Sequence, residues 1–334
     1  MRAVVIQSPR KVQLVEMARP MPKEGQVLVR VRVCGVCGTD VHIYKGEYLG
    51  DYPVIPGHEF AGEVVEVGPG VNGLERHDRV AVEPNISCGS CRFCRLDEPN
   101  FCENWRAIGV TRPGAMAEYV VVPASAAFAI GDLDYEAAAF MEPLSCVLHG
   151  MEKLNVRSGE SVLIIGAGPV GLLLGQVARA SGAARVVFAD RIASRLERAA
   201  ERVADRVADT SESWQPAETP GGYDAVIEAT GAPSVFERSI DLVRHGGRIL
   251  VFGVAPRDAT ARVRPFDLFR KGLSVLSSYT SVRNSEQALE LLRNGRVRVD
   301  RLVTHRLPLD GFEKAMELLA DPEGTMKVQI LPGE

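Results

Sequence analysis

Apolar positions change their period near Pro143. Before it, Val27, Val29, Val31 and Val33 alternate with Leu28, Arg30 and Arg32, a two-residue period that gives a strand one apolar and one more polar face. Short apolar segments at Glu63 to Val67, Arg79 to Val82 and Ala117 to Val122 continue this pattern, broken by Gly68-Pro69-Gly70 and by a cysteine-rich lobe. Such punctuation predicts a small, mostly antiparallel barrel. After Pro143, apolar runs at Ser161 to Ile165, Val186 to Ala189, Ala225 to Ile227, Ile249 to Phe252 and Leu273 to Leu276 are separated by stretches of helical periodicity. That alternation predicts an α/β unit, a parallel sheet with crossover helices. Beyond Thr280 the pattern predicts an amphipathic helix over Glu286 to Arg293, a strand near Arg301 to Thr304 and a last helix near Gly311 to Leu319. Periodicity leaves open whether this tail rejoins the first domain.

Composition narrows the function classes. The chain has 334 residues, a length that favours two domains over one core. With 39 basic against 43 acidic residues its net charge is -4, and no basic run tracks a phosphate backbone, so nucleic acid is not an expected partner. The longest apolar stretch, Ser161 to Ala178, contains Gly166, Gly168, Pro169, Gly171 and Gly175. A strand, a turn and a helix explain it better than a membrane span. The first 30 residues carry no apolar signal region, no lipidation motif is present, and the seven cysteines are an odd number. The expectation is a cytoplasmic protein with reduced thiols and no membrane partner.

The sequence Gly166-Ala-Gly168-Pro169-Val170-Gly171 follows an apolar strand and opens a helix. In that setting Gly166 allows the tight turn, Gly168 lets a pyrophosphate approach the backbone, and Gly171 lets the helix pack on the strand, with the phosphates at the helix N-terminus. Asp190 ends the next strand, where a carboxylate accepts from the adenosine ribose hydroxyls, and Arg195 completes the set of cofactor-binding positions. This favours NAD over NADP, although Arg191 offers a countercharge for a 2′-phosphate. The plainer alternative is a glycine-rich turn beside a solvated Asp-Arg pair.

Cys88, Cys91, Cys94 and Cys102 are spaced x2, x2 and x7. Thiolates this close converge on one zinc ion without help from the rest of the fold, and four sulfurs leave no position for substrate, so this zinc is expected to be structural. A second set is more dispersed: Cys37 and, in Gly57-His58-Glu59, an imidazole and a carboxylate. Three protein ligands keep a position open, as in a catalytic zinc site. Glu59 and Glu142, the latter in Met141-Glu142-Pro143, are both candidates for the remaining ligand, and Asp40 is placed to orient His58. Taken singly, each has an ordinary reading: Cys37 as a small buried residue, His58 as a polar contact, Glu142 as a solvated carboxylate. Cys34 and Cys146 read as packing residues, and His77, His149, His245 and His305 receive no role.

In order and spacing, Cys37-Gly-Thr39-Asp40-Val-His42, Gly57-His58-Glu59, the cysteine tetrad, Met141-Glu142-Pro143-Leu144 and the glycine turn resemble the zinc-dependent medium-chain dehydrogenases over essentially the whole chain. The resemblance implies a GroES-like β-barrel catalytic domain over 1–144, with its structural zinc lobe at about 85–105, a Rossmann NAD-binding domain over 145–284, and a return to the catalytic domain over 285–334. It implies two Zn2+ per chain, NAD, and a homo-oligomer, dimer or tetramer. Glu142-Pro143-Leu144 is similar to the sorbitol and polyol dehydrogenases, whereas Cys37 to Tyr44 is also similar to threonine dehydrogenases; sugars and cyclitols stay open as substrates. In the expected reaction zinc activates a substrate hydroxyl, the nicotinamide takes the hydride, and Thr39 passes the proton through the cofactor ribose to His42. Tyr44 and Arg283 are candidate substrate contacts, Arg283 by resemblance. The rivals are a noncatalytic NAD-binding regulator and a metal-independent quinone reductase.

Overall fold

The computed structural model describes residues 1–47, 51–211 and 221–333. They form two compact units, one of Met1–Ser145 with Thr280–Glu334 and one of Cys146–Tyr279.

In the first unit a sheet runs Val303–Pro308, Lys327–Leu331, Gln26–Val36, Glu59–Val67, Arg79–Val82 and Ala127–Ala129, and Tyr119–Pro123 also pairs with Gln26–Val36. Apart from the parallel pair Val303–Pro308 and Lys327–Leu331, its ladders are antiparallel. Val27, Val29, Val31 and Val33 are buried, and the first three join Val4, Ile6, Phe60, Val64 and Val80 in the barrel core; the ladder shifts register between Val31 and Val33. The last strand is absent from the periodicity reading because Lys327 and Gln329 interrupt its apolar run. Both are nevertheless buried, at 6% and 0% exposure. Its register sets Val328 against Val36 and Ile330 against Cys34. At the other end of the tail, Ser281 and Ser285 donate to the Glu83 carboxylate, each at 2.8 Å. The tail is thus tied to this unit by a strand ladder and by a buried-edge carboxylate.

The second unit is a parallel sheet in the order Arg206–Asp209, Arg185–Asp190, Ser161–Ile165, Tyr223–Glu228, Val243–Val251 and Ser274–Ser277. The order reverses between Ser161–Ile165 and Tyr223–Glu228, which makes the carboxyl end of Ser161–Ile165 the switch point of a Rossmann fold. Val162, Leu163 and Ile164 are fully buried, since helices cover both faces of such a sheet. The stretch Ser161 to Ala178 divides into the strand Ser161–Ile165 and the helix Pro169–Ala180. No described helix is long and apolar enough to cross a membrane.

Asp224 fastens the two central strands at their amino ends. Its carboxylate accepts from the Ser161 N–H at 2.8 Å, the Ser161 hydroxyl at 2.7 Å and Arg244 Nε at 2.6 Å. Burial works against the charge, but these donors prevail and bring its pKa down to about 2. A depressed carboxylate contributes stability above its unfolded value of about 3.9 and loses it as pH falls. Asp224→Ala is therefore expected to lower stability in denaturant titrations at pH 7 by about 1 kcal/mol, a figure discounted for solvent screening. The difference from wild type should shrink as pH falls from about 4 toward 2.

Candidate active site and metal centres

The short helix Gly38–Lys45 begins at Cys37, whose extended backbone turns the chain out of the strand Gln26–Val36. Asp40, in the first turn, is fully buried. Its Oδ2 accepts from the Cys37 N–H at 2.9 Å, and its Oδ1 accepts from the Gly57 N–H at 3.2 Å and lies 3.6 Å from His58 Nδ1. One carboxylate thus holds both chain segments that carry candidate ligands. Gly57 has φ +97°, and a Cβ there would come within 2.8 Å of Cys34 Sγ and of the Met116 N. Only glycine brings His58 in at this approach.

The result is a compact donor set: one ligand atom each from Cys37, His58 and Glu59, all within 4.8 Å of one another. His58 and Glu59 are 5% and 2% exposed. His58 Nδ1 is buried without a hydrogen bond, at 3.6 Å from Asp40. Burial disfavours a charged His58, yet the neighbouring Asp40 and Cys37 raise its pKa well above the ordinary value. A half-buried thiol converging with a buried imidazole and a buried carboxylate in this way fits a divalent zinc, which is bound by thiolate and neutral imidazole. Glu142, half-buried in the first turn of Met141–Leu154, stands outside the compact set but acts electrostatically on Lys327.

Lys327 has no part in the sequence reading. It is buried and makes an ion pair with Glu59 Oε2. The only signal in the sequence is a charge inside an apolar terminal run, Met326-Lys327-Val328, and a lone lysine is too weak a sign to place.

The helix also presents Thr39, with Oγ1 at 3.8 Å from Cys37 Sγ, and His42, whose Nδ1 meets Glu47 Oε2 at 3.0 Å. Positions three apart share a helix face, so Thr39 and His42 lie on one side of it. Tyr44 packs half-buried against the barrel core. Arg283 has its own contacts. It pairs with Asp97 of the cysteine lobe at 2.6 Å, is 68% exposed, and borders a cavity of about 520 Å3 with Asn85, Asn100 and Ser281.

In the lobe, Cys88, Cys91, Cys94 and Cys102 bring their sulfurs within 4.8 Å of one another. The Cys91 N–H points at Cys88 Sγ at 3.4 Å, and the N–H groups of Cys88 and Asn104 point at Cys102 Sγ, each at 3.3 Å. Donors from Ser90 and Cys91 bring the Cys88 thiol down to about 5, whereas burial pushes Cys102 up to about 11. N–H donors aimed at sulfur stabilise thiolates, the form that binds zinc.

At the switch point of the parallel sheet, Gly166 has φ +110° and Gly168 caps the helix whose first positions are Pro169 and Val170. A Cβ on Gly171 would press on the Gly166 carbonyl, and one on Gly168 would sit 3.6 Å from Arg195 Nη1. Burial lowers the Arg195 pKa against the pull of Asp190. Asp190 also accepts from the Ala167 N–H at 2.6 Å and from the N–H groups of Arg191 and Ile192, so it braces the turn it faces.

The alcohol dehydrogenase GroES-like domain matches residues 23–132, and the zinc-binding dehydrogenase domain matches residues 169–294. The chain belongs to the zinc-binding dehydrogenases. It is an enzyme of the alcohol dehydrogenase type. D-altritol 5-dehydrogenase of Agrobacterium fabrum is 39% identical over 96% of this chain and 98% of its own. D-arabinitol dehydrogenase 1 of Uromyces fabae is 35% identical over 99% and 97%. A crystal structure from Sinorhizobium meliloti, described as a zinc-binding dehydrogenase bound to NADP, superposes with a TM-score of 0.95 at 36% identity, covering 99% of each chain.

For this dehydrogenase the Asp40 geometry makes a specific prediction. Asp40→Asn removes the charge facing His58 and weakens the hold on the Cys37 and Gly57 N–H groups. Zinc affinity of the Cys37 set, measured by chelator competition, is expected to fall roughly 10- to 100-fold, while the lobe keeps its metal. Unchanged affinity would mean that Asp40 only caps the helix.

Proposed function

We propose that this zinc-binding dehydrogenase oxidises a secondary alcohol of a sorbitol-like polyol with NAD, reversibly, and carries two Zn2+ per chain, one at the Cys37 set and one in the cysteine lobe. The observation that carries the reading is the convergence of half-buried Cys37 with buried His58 and Glu59, one sulfur and two nearby carboxylates where a purely structural site has four sulfurs. Two relatives named for polyol substrates support the substrate class. When bound, zinc polarises the substrate hydroxyl and the nicotinamide accepts the hydride.

The residues divide the remaining work. Cys37, His58 and Glu59 hold the cation, and Glu142 stands near enough to Lys327 to share the charge balance. Thr39, beside the Cys37 sulfur, takes the hydroxyl proton as it releases its own, and His42 on the same helix face, paired with Glu47, carries the released proton toward solvent. The carbinol C–H electron pair leaves as hydride and the carbon becomes a carbonyl, so one alcohol and one NAD give one ketone, one NADH and one proton. Gly166, Gly168 and Gly171 admit the pyrophosphate, and Asp190 selects against a 2′-phosphate by charge. Sulfurs committed to zinc stay reduced, so the reading includes a reducing, cytoplasmic compartment.

The test is reduction of NAD and NADP by the zinc-loaded enzyme across polyols, cyclitols, aldoses, L-threonine and simple alcohols. Turnover of polyols with NAD, lost in Cys37→Ser while NADH binding persists, is the expected result. Activity confined to L-threonine would make the segment Cys37 to Tyr44 the better guide to substrate, and turnover in Cys37→Ser would overturn the metal role.

The reading includes a homo-oligomer built on the edge strand Ser274–Ser277. That edge leaves Val275 41% exposed, and the preceding helix Pro265–Lys271 leaves Phe266 and Phe269 66% and 83% exposed. An uncovered strand edge beside exposed phenylalanines suits pairing with the same edge of a second copy. Val275→Lys with Phe269→Asp is expected to reduce the mass in sedimentation equilibrium to that of one chain; an unchanged mass would place the contact elsewhere.

A further inference from the structure

Carboxylates at the amino edge of the parallel sheet have arginine partners: Glu160 pairs with Arg248, and Asp224 with Arg244. Glu228 ends the strand Tyr223–Glu228 at the opposite edge and is 1% exposed. Its Oε1 accepts from the Thr230 N–H at 2.6 Å, the Thr230 hydroxyl at 2.5 Å and the Gly231 N–H at 2.8 Å. All three donors are uncharged, and among the described residues no cationic side chain pairs with it. A buried charge without a counter-ion is costly to keep.

Glu228 also stands beside the glycine turn. It is in register with Ile165, the residue before Gly166, on one side and with Val251 on the other. A Cβ at Gly166 would lie 3.1 Å from the Ala229 O and from Thr230 Cγ2. One at Gly231, where φ is +74°, would come within 2.3 Å of the Val254 O, and one at Gly253 would lie 2.8 Å from Glu228 Oε2. Residues 229–231 are thus pressed between the glycine turn and the loop after Val243–Val251, and the Glu228 carboxylate ties them in place. Asp190 lies on the strand at the far side of Ser161–Ile165. A dinucleotide whose adenosine ribose meets Asp190 and whose pyrophosphate meets the turn continues across the switch point, which brings its nicotinamide half to the Glu228 side.

We propose that Glu228 is a specificity-determining residue that selects the oxidised cofactor, its buried carboxylate favouring the cationic nicotinamide of NAD over the neutral ring of NADH. This deepens the NAD reading above and rests on it. The ring loses its unit positive charge when it accepts hydride, so a fixed negative charge on that side stabilises only the form before transfer. The same preference hastens release of NADH and draws the equilibrium on the enzyme toward alcohol and NAD. Asp190 has no such effect, because the adenosine half is the same in both redox forms.

The experiment measures binding rather than turnover. Dissociation constants of NAD, NADH and ADP-ribose, which has no nicotinamide ring, are measured by calorimetry for zinc-loaded wild type, Glu228→Gln and Thr230→Val. Glu228→Gln should weaken NAD roughly three- to tenfold, the scale of a unit-charge interaction beyond contact distance at an effective dielectric of about 20, and change NADH and ADP-ribose by less than about twofold. Thr230→Val removes a donor and leaves the charge, so it should move NAD and NADH by one common factor. Loss of folded protein weakens every ligand alike, so the ratio of NAD to NADH affinity reads the charge even in a destabilised variant.

Equal losses for NAD and NADH in Glu228→Gln, no loss at all, or a ratio moved as far by Thr230→Val overturns the role of Glu228 and leaves the cofactor reading standing. A wild-type protein that binds none of the three ligands overturns the cofactor reading itself and this proposal with it.

Discussion

Asp40 joins two pieces of chain that are about twenty residues apart. Its buried carboxylate accepts the N–H groups of Cys37 and Gly57 and faces His58. Hydrogen bonds to a charged acceptor contribute about 1.5–3 kcal/mol each, and more is lost when such a group is left buried without them. The carboxylate therefore fixes where the helix Gly38–Lys45 starts, and with it the directions of the Cys37 sulfur and of Thr39 and His42. Gly57 supplies the other half of the constraint, since its φ of +97° and its approach to Cys34 and Met116 exclude any side chain. Without these two residues the thiol and the imidazole have no reason to share a site.

The two cysteine environments differ in how local structure gathers their donor atoms. In the lobe the sulfurs are held by neighbouring N–H groups within one short segment, a closed arrangement suited to a permanent ion. At Cys37 the donors come from a helix start, a strand start and, through Lys327, the terminal strand. That site has mixed donors, an adjacent ammonium and a second carboxylate within electrostatic range. Its charge balance depends on three separate elements. The charge is also costly to keep in the interior, so the barrel ladder that brings Lys327 to Glu59 stabilises the site as well as the fold.

The glycine turn imposes a comparable order on the parallel sheet. Asp190 faces the turn and also accepts the Ala167 N–H, so the acid that would meet a ribose braces the loop that would meet the pyrophosphate. Asp224 at the opposite end of the same strands ties Ser161 to Arg244. The central strand is thereby held near both ends by carboxylates, with Asp190 at the switch point and Asp224 at the amino end.

By itself the sequence determined what depends on residues close together in the chain. The four lobe cysteines and the glycine turn are contiguous signals, and the alternation of Val27, Val29, Val31 and Val33 and the later apolar runs set the two architectures, because side-chain direction along a strand follows from its period alone. Cys37, His58 and Glu59 were legible as residue types, yet their convergence was decided by Asp40, Gly57 and the strand register. The terminal strand was hidden because Lys327 and Gln329 read as surface positions, and only the ladder against Gln26–Val36 buries them. Arg283 was legible only by likeness, and its pairing with Asp97 comes from the tertiary structure. What tertiary structure alone decided is which distant charges are forced to be neighbours, since pairing in a low-dielectric interior depends on positions in space that no spacing along the chain encodes.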